Sequence, residues 1–197
     1  MKKNFFIFIF LVFSLTQKSF AYSTDPKQFI SEIVDEAKKV LVATNTKEFK
    51  TQKLSEVALK TVDIKGVAYY SLGSYRKQLN DEQLGEYLKL FEKYFLKSFT
   101  SRLTDYSDPK IDVLSAEVIN EKYTIVKSLL LATDKKPEVK IEWRVYTKNP
   151  DKPLIRDLII EGLSLARTQK EEFASVIESN NGDVTKLFIT LKDFIAK

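Results

Sequence analysis

The 197-residue chain contains no cysteine and no histidine. Without cysteine no disulfide can form, and no thiolate is available as a nucleophile or metal ligand. Without histidine there is no Ser–His or Cys–His nucleophilic pair, and imidazole-based zinc or copper sites are excluded. What remains is carboxylate, lysine or tyrosine chemistry. Long apolar runs are scarce too: past residue 21 no stretch approaches the roughly 20 apolar residues of a membrane-spanning helix. There is no internal repeat, low-complexity segment or linker, and the length suits one domain.

Residues 1–21 stand apart. Lys2 and Lys3 give a short positive start, Phe5 to Leu15 is an apolar run, and Thr16-Gln17-Lys18 turns polar. Ser19-Phe20-Ala21 then presents small residues two apart, which is the order of a secretory signal cleaved after Ala21. At about 1.5 Å per residue the apolar run reaches roughly half-way across a bilayer core, too short for an anchor. No cysteine follows the cleavage point, so the new N-terminus cannot be lipid-modified. Residues 22–197 are expected to form one exported domain, relying on its core alone.

The formal charge is +5; the leader holds three lysines and no acids, which leaves +2 for the mature part. A near-balanced chain argues against a nucleic-acid partner, which selects a clustered basic face. It allows weak attraction to anionic lipid headgroups.

The first part of the mature chain, about residues 25–105, carries helical spacing. Asp25-Pro26 is a start signal, with Phe29, Ile30, Ile33, Val34, Ala37, Val40 and Leu41 on one face. Leu54, Val57, Ala58 and Val62 mark a second helix, and Ile64 to Gly73 a short third one, with a further helical turn over Tyr75 to Leu79. Asn80-Asp81-Glu82-Gln83 has the form of a cap, and the long helix after it carries Leu84, Leu88, Phe91, Phe95 and Phe99 on one line and Tyr87, Leu90 and Tyr94 beside it. That apolar arc is wider than a surface helix needs.

From about residue 110 to 162 the period shifts to two. Val139, Ile141, Trp143 and Val145 alternate with polar neighbours; Tyr123, Ile125, Leu129 and Leu131 form a similar set; Ile111 to Ile119 and Leu154 to Glu161 complete four strands. The connecting turns are short, so the strands should pair antiparallel. Two helices, about 166–196, finish the chain, separated by Asn181-Gly182. The pattern predicts an α+β fold in which helices from both ends cover one apolar face of the sheet.

An apolar-ligand cavity between sheet and helices would draw on the faces expected to meet. The candidates are Val67, Leu72, Leu88, Phe91 and Phe95 from the helices, and Ile125, Leu129, Ile141, Trp143, Val145 and Leu158 from the sheet. Each is also an ordinary core position on periodicity alone. Asp112, Asp157 and Glu161 lie in or near strands, where a buried carboxylate could act as a general base, although alternation can equally place them on a solvated face. Lys135-Lys136 sits in a predicted hairpin turn and could touch a headgroup, or be a solvated turn.

The last third resembles a known family. Arg156-Asp157-Leu158-Ile159-Ile160-Glu161-Gly162-Leu163-Ser164-Leu165 is similar to the aspartate-x-x-x-glutamate-glycine-x-serine strand end of the MlaC, or toluene-tolerance auxiliary, family. Thr168 to Ile177 resembles the helix that follows, with Glu172-Phe173 at the usual place for an aromatic; upstream, Leu72-Gly73-Ser74-Tyr75-Arg76 and Asn80-Asp81-Glu82-Gln83 resemble the family's helix start. The chain departs from the pattern at Lys152-Pro153-Leu154 and at Arg167-Thr168-Gln169-Lys170, which leaves partner contacts open.

The resemblance implies a sheet of the nuclear-transport-factor-2-like (cystatin-like) type with added helices. It implies a periplasmic phospholipid carrier with acyl tails between sheet and helices, needing no cofactor. Its implied partners are an outer-membrane lipoprotein complex and an inner-membrane ATP-driven transporter. The physics is coherent: at about 0.8 kcal/mol per exposed methylene, some thirty methylenes raise a barrier of order twenty kcal/mol for a lone lipid leaving a bilayer. Two other classes compete, namely an enzyme on the same fold with Asp112 or Asp157 as base, and an envelope adaptor with a closed core.

Overall fold

The structure, a computed structural model, describes residues 22–134 and 137–197. The expected signal sequence and the Lys135-Lys136 turn lie outside the described residues. None of the described helices is long and apolar enough to cross a membrane.

Local signals place the helices. Asp25 accepts a hydrogen bond from the Gln28 amide, and Pro26 opens α1 (Pro26–Val42). Thr46 caps α2 (Lys47–Thr61), and Asp63 caps α3 (Ile64–Leu72). Gly73, at φ +58°, ends α3 and turns the chain into a 3₁₀ helix over Gly73–Gln78. Asn80 and Gln83 close a reciprocal capping box at the head of α4 (Asp81–Leu103).

The strands β1 (Ile111–Asn120), β2 (Tyr123–Leu130), β3 (Val139–Tyr146) and β4 (Leu154–Ile160) form an antiparallel meander. These are the four expected strands, and the described residues add a fifth, β5 (Leu163–Ser164), at the edge. Glu161 and Gly162 both take positive φ, +49° and +82°, the backbone of a two-residue hairpin turn. The helices α5 (Leu165–Glu178) and α6 (Thr185–Ala196) follow. Among the described residues the chain is thus α+β, with an open five-stranded antiparallel sheet and six α-helices.

Helices cover both faces of the sheet, where the sequence predicts one covered face. Register puts Val126, Trp143, Val145 and Ile155 on a common face, and there they pack with Phe29, Ile30, Ile33 and Val34 of α1 and Val57 of α2. The opposite face carries Tyr123, Ile125, Glu142, Arg144, Asp157 and Ile159, and looks toward α3 and α5. The N-terminal helices therefore take one side, and α3 with the C-terminal helices takes the other.

The crossing point is short. Val62 pairs in parallel with Ile155 at the edge of β4, and the Asp63 amide donates to the Ile155 carbonyl at 2.9 Å. The chain steps over the sheet edge in those two residues. Behind α3 lies a separate helical core in which Leu72, Tyr87, Phe91, Phe173, Ile177, Leu187 and Leu191 are buried. The Tyr87 hydroxyl, wholly enclosed there, donates to the Ala68 carbonyl at 3.0 Å, so its burial leaves no unmet polar group.

Candidate functional site

The site begins with an irregularity in β4. Opposite Arg144 and Val145 of β3 stand Asp157 and Ile155, so Arg156 is an extra residue in the ladder. The bulge lets Arg156 and Asp157, neighbours in sequence, both reach the α3 side. Each then builds a connection.

Arg156 donates through Nε and Nη2 to Asp63 Oδ2, both at 2.7 Å, and through Nη1 to the Tyr123 hydroxyl at 3.1 Å. Its guanidinium also lies 3.5 Å from the centre of the Tyr146 ring. Burial works against the Arg156 charge, yet the bonds to Tyr123 and Asp63 outweigh it and move its pKa up. Asp63 meanwhile accepts from the Gly66 amide at 2.9 Å, capping α3. One carboxylate thus fixes both the start of α3 and the floor strand beneath it. A Cβ on Gly66 would collide with the Asp63 carboxylate, so a larger residue there would displace the group that holds both Arg156 and the α3 cap.

Asp157, nearly fully buried, accepts from the Ser164 hydroxyl at 2.6 Å and from the Ala166 amide at 2.9 Å, and Arg144 lies 3.5 Å away. Ser164 Oγ in turn caps α5 through the Arg167 amide. The backbone amide of Lys140 on β3 donates to the carboxylate of Glu161 in the turn. The aspartate-x-x-x-glutamate-glycine-x-serine segment is therefore a device that ends a strand, turns it and starts a helix. Both Asp157 oxygens are engaged, which removes it as a free base; Asp112 is exposed on β1.

Between these anchors lies a partly open cavity of about 710 Å³. Gly66, Val67, Tyr69 and Tyr70 of α3 and Ala166 of α5 form one wall. Tyr123, Ile125, Glu142, Arg144, Arg156, Asp157 and Ile159 form the sheet wall, and Ile119, Asn120 and Arg76 the rim. The surface combines aliphatic patches and tyrosine rings with three guanidinium groups and the carboxylates of Glu142 and Asp157, a lining of mixed apolar and charged character. Among the described residues no cluster of three or more acidic groups could hold a metal ion.

Of the residues singled out from sequence, Val67 and Ile125 line this cavity. Leu129 shares the face of Ile125 but stands outside the lining. Leu72 and Phe91 are buried in the helical core, and Leu88 and Phe95 pack against it. Ile141, Trp143, Val145 and Leu158 lie on the α1 side of the sheet, turned away from the cavity. The Trp143 indole N–H donates to Ser128 Oγ at 2.8 Å, a satisfied core position. The lining tyrosines and arginines fall outside the apolar periodicity that marks buried faces; Tyr69-Tyr70 on a short helix is the signal the sequence offers for them.

No curated protein matches the chain. Among solved structures, the phospholipid-binding protein from Ralstonia solanacearum in complex with a phospholipid superimposes with a TM-score of 0.71 at 20% sequence identity. The match covers 85% of this chain and 94% of that one, so the two share a fold. The family model described as MlaC protein matches residues 27–193, from the first turn of α1 almost to the end of α6, and the chain belongs to the MlaC family.

Proposed function

We propose that the protein carries phospholipid through the periplasm. The observation that supports this most directly is the cavity between the sheet and α3, in a chain of this family and of the fold of a phospholipid-bound relative. At roughly 30 Å³ per methylene, close to the share of a water molecule in its liquid, 710 Å³ holds about 24 methylenes. That exceeds a single acyl tail and falls short of two, so the loaded form widens the space between sheet and α3. A packed interior, as a closed-core adaptor would have, offers no such room. In this reading the leader directs export and is removed after Ala21. Lipid passes between an outer-membrane lipoprotein complex and an inner-membrane ATP-driven transporter, in support of outer-membrane lipid asymmetry.

The test is direct. Residues 22–197, purified and extracted with organic solvent, should yield phospholipid by mass spectrometry, either as isolated or after incubation with liposomes. Absence of lipid in both cases would overturn the reading. Ile125→Arg, which places a charge in the cavity, should abolish loading and cost less stability than a charge on the packed face, because its side chain can extend into the open space. Val145→Arg, on the packed α1 face, should instead unfold the protein.

A further inference from the structure

The charged groups around the cavity fall into two sets. Inside, each guanidinium has an acidic neighbour: Asp63 holds Arg156, and Asp157 stands beside Arg144. At the rim three cations have none. Arg76 and Lys77 of the 3₁₀ helix and Lys170 of α5 line a second hollow of about 350 Å³ that shares Tyr69, Tyr70 and Arg76 with the first. None of its lining residues is acidic. Among the described residues none of the three cations forms an ion pair or a side-chain hydrogen bond. Their one aromatic contact is Lys170 Nζ, 5.5 Å from the centre of the Tyr70 ring. Gly73 brings the two segments together: a Cβ there would lie 3.0 Å from Lys170 Cε, so the bare turn lets the lysine lie across it.

We propose that Arg76, Lys77 and Lys170 form a shelf for the phosphate of the carried lipid's headgroup, an assignment that rests on the lipid-carrying reading above. Three unpaired cations repel one another, and a phosphate group relieves that repulsion while accepting several charge-assisted hydrogen bonds. Exposed cations bind free anions weakly because water screens them. A tail held in the larger cavity changes this, since it presents its own phosphate at the rim at high effective concentration. Arg76 borders both hollows, so a lipid whose tail fills the larger one reaches the smaller one with its headgroup past Arg76.

The experiment compares the mature chain with the Arg76→Gln/Lys77→Gln/Lys170→Gln variant and with a Lys27→Gln/Lys39→Gln/Lys60→Gln control, which removes equal charge from α1 and α2. Phosphatidylglycerol and diacylglycerol of identical tails are offered together in neutral detergent micelles, and bound lipid is weighed by mass spectrometry after gel filtration. The mature chain and the control should favour phosphatidylglycerol about tenfold, the low end of what one hydrogen bond to a charged group supplies. The shelf variant should take both lipids about equally, and its diacylglycerol uptake shows that it is folded. A preference that survives in the shelf variant overturns the shelf while lipid carriage stands. A mature chain that takes up neither lipid overturns both. Calorimetry with inorganic phosphate separates the sources: tight binding of phosphate alone, without preference between the lipids, would make this a free-anion site and overturn the headgroup assignment.

Discussion

Asp157 shows how a single side chain can organise its neighbourhood. It sits on a strand yet takes up a hydroxyl and a backbone amide from the helix that follows, and faces Arg144 across the ladder. Substitution to alanine would leave the Ala166 amide and the Ser164 hydroxyl without their acceptor in a buried place and Arg144 without its counter-charge. Asp157→Ala should therefore lower stability by about 2–4 kcal/mol, read as a shift in the urea midpoint at unchanged slope. Amide exchange at Ala166 should accelerate beyond the global change, because the α5 start loses its anchor. A result below about 0.5 kcal/mol would mean that water replaces the carboxylate without penalty.

At the scale of elements, legibility followed the locality of the signal. The α1 start at Asp25-Pro26, the capping box of Asn80 and Gln83, and the stop at Gly73 depend on residues within four positions of one another, and all stand in the structure where the sequence puts them. The period of β3 is equally local. Which face of a strand meets which helix is not. In β2 the apolar-looking set Tyr123, Ile125, Leu129 suggested the core side, yet Thr124, Val126 and Ser128 are the more deeply packed set. Ser128 tolerates burial because Trp143 donates to it and its own hydroxyl reaches the Ile141 carbonyl. A sheet covered on both sides blurs its own alternation, and the partner that resolves it is over 90 residues away in α1. The β4 bulge at Arg156 has no signature in the sequence either, since it exists only relative to β3. The cavity was thus foreseeable as a space between sheet and helices, whereas its polar lining was not.

For the molecule as a whole, the missing residue types set the response to pH. With no histidine or cysteine, no side chain with an ordinary pKa titrates between about pH 6 and 8, so stability should be flat across that range. The alkaline side differs. Burial pushes the Tyr87 hydroxyl well above its usual value, with Tyr94 nearby adding to the effect, and burial together with the hydrogen bond to Glu36 does the same to Tyr22. A tyrosine whose pKa is raised by folding contributes fully below about pH 10. Above that the unfolded chain loses its proton first, and stability falls by about 1.4 kcal/mol per pH unit for Tyr87, less for the more exposed Tyr22. Urea titrations from pH 6 to 11.5 should show a plateau and then a decline, and the decline should be shallower in Tyr87→Phe. An equal slope in that variant would assign the loss to other groups.

The position of the lone tryptophan has an optical consequence. Trp143 is pinned on the α1 side of the sheet, while Tyr69, Tyr70 and Tyr123 surround the hollow on the other. Indole emission accordingly reports on whether α1 remains docked and says little about cargo. Lipid loading should leave the tryptophan spectrum nearly still while it perturbs the tyrosine signal, so the chain carries two separate gauges, one for integrity and one for occupancy.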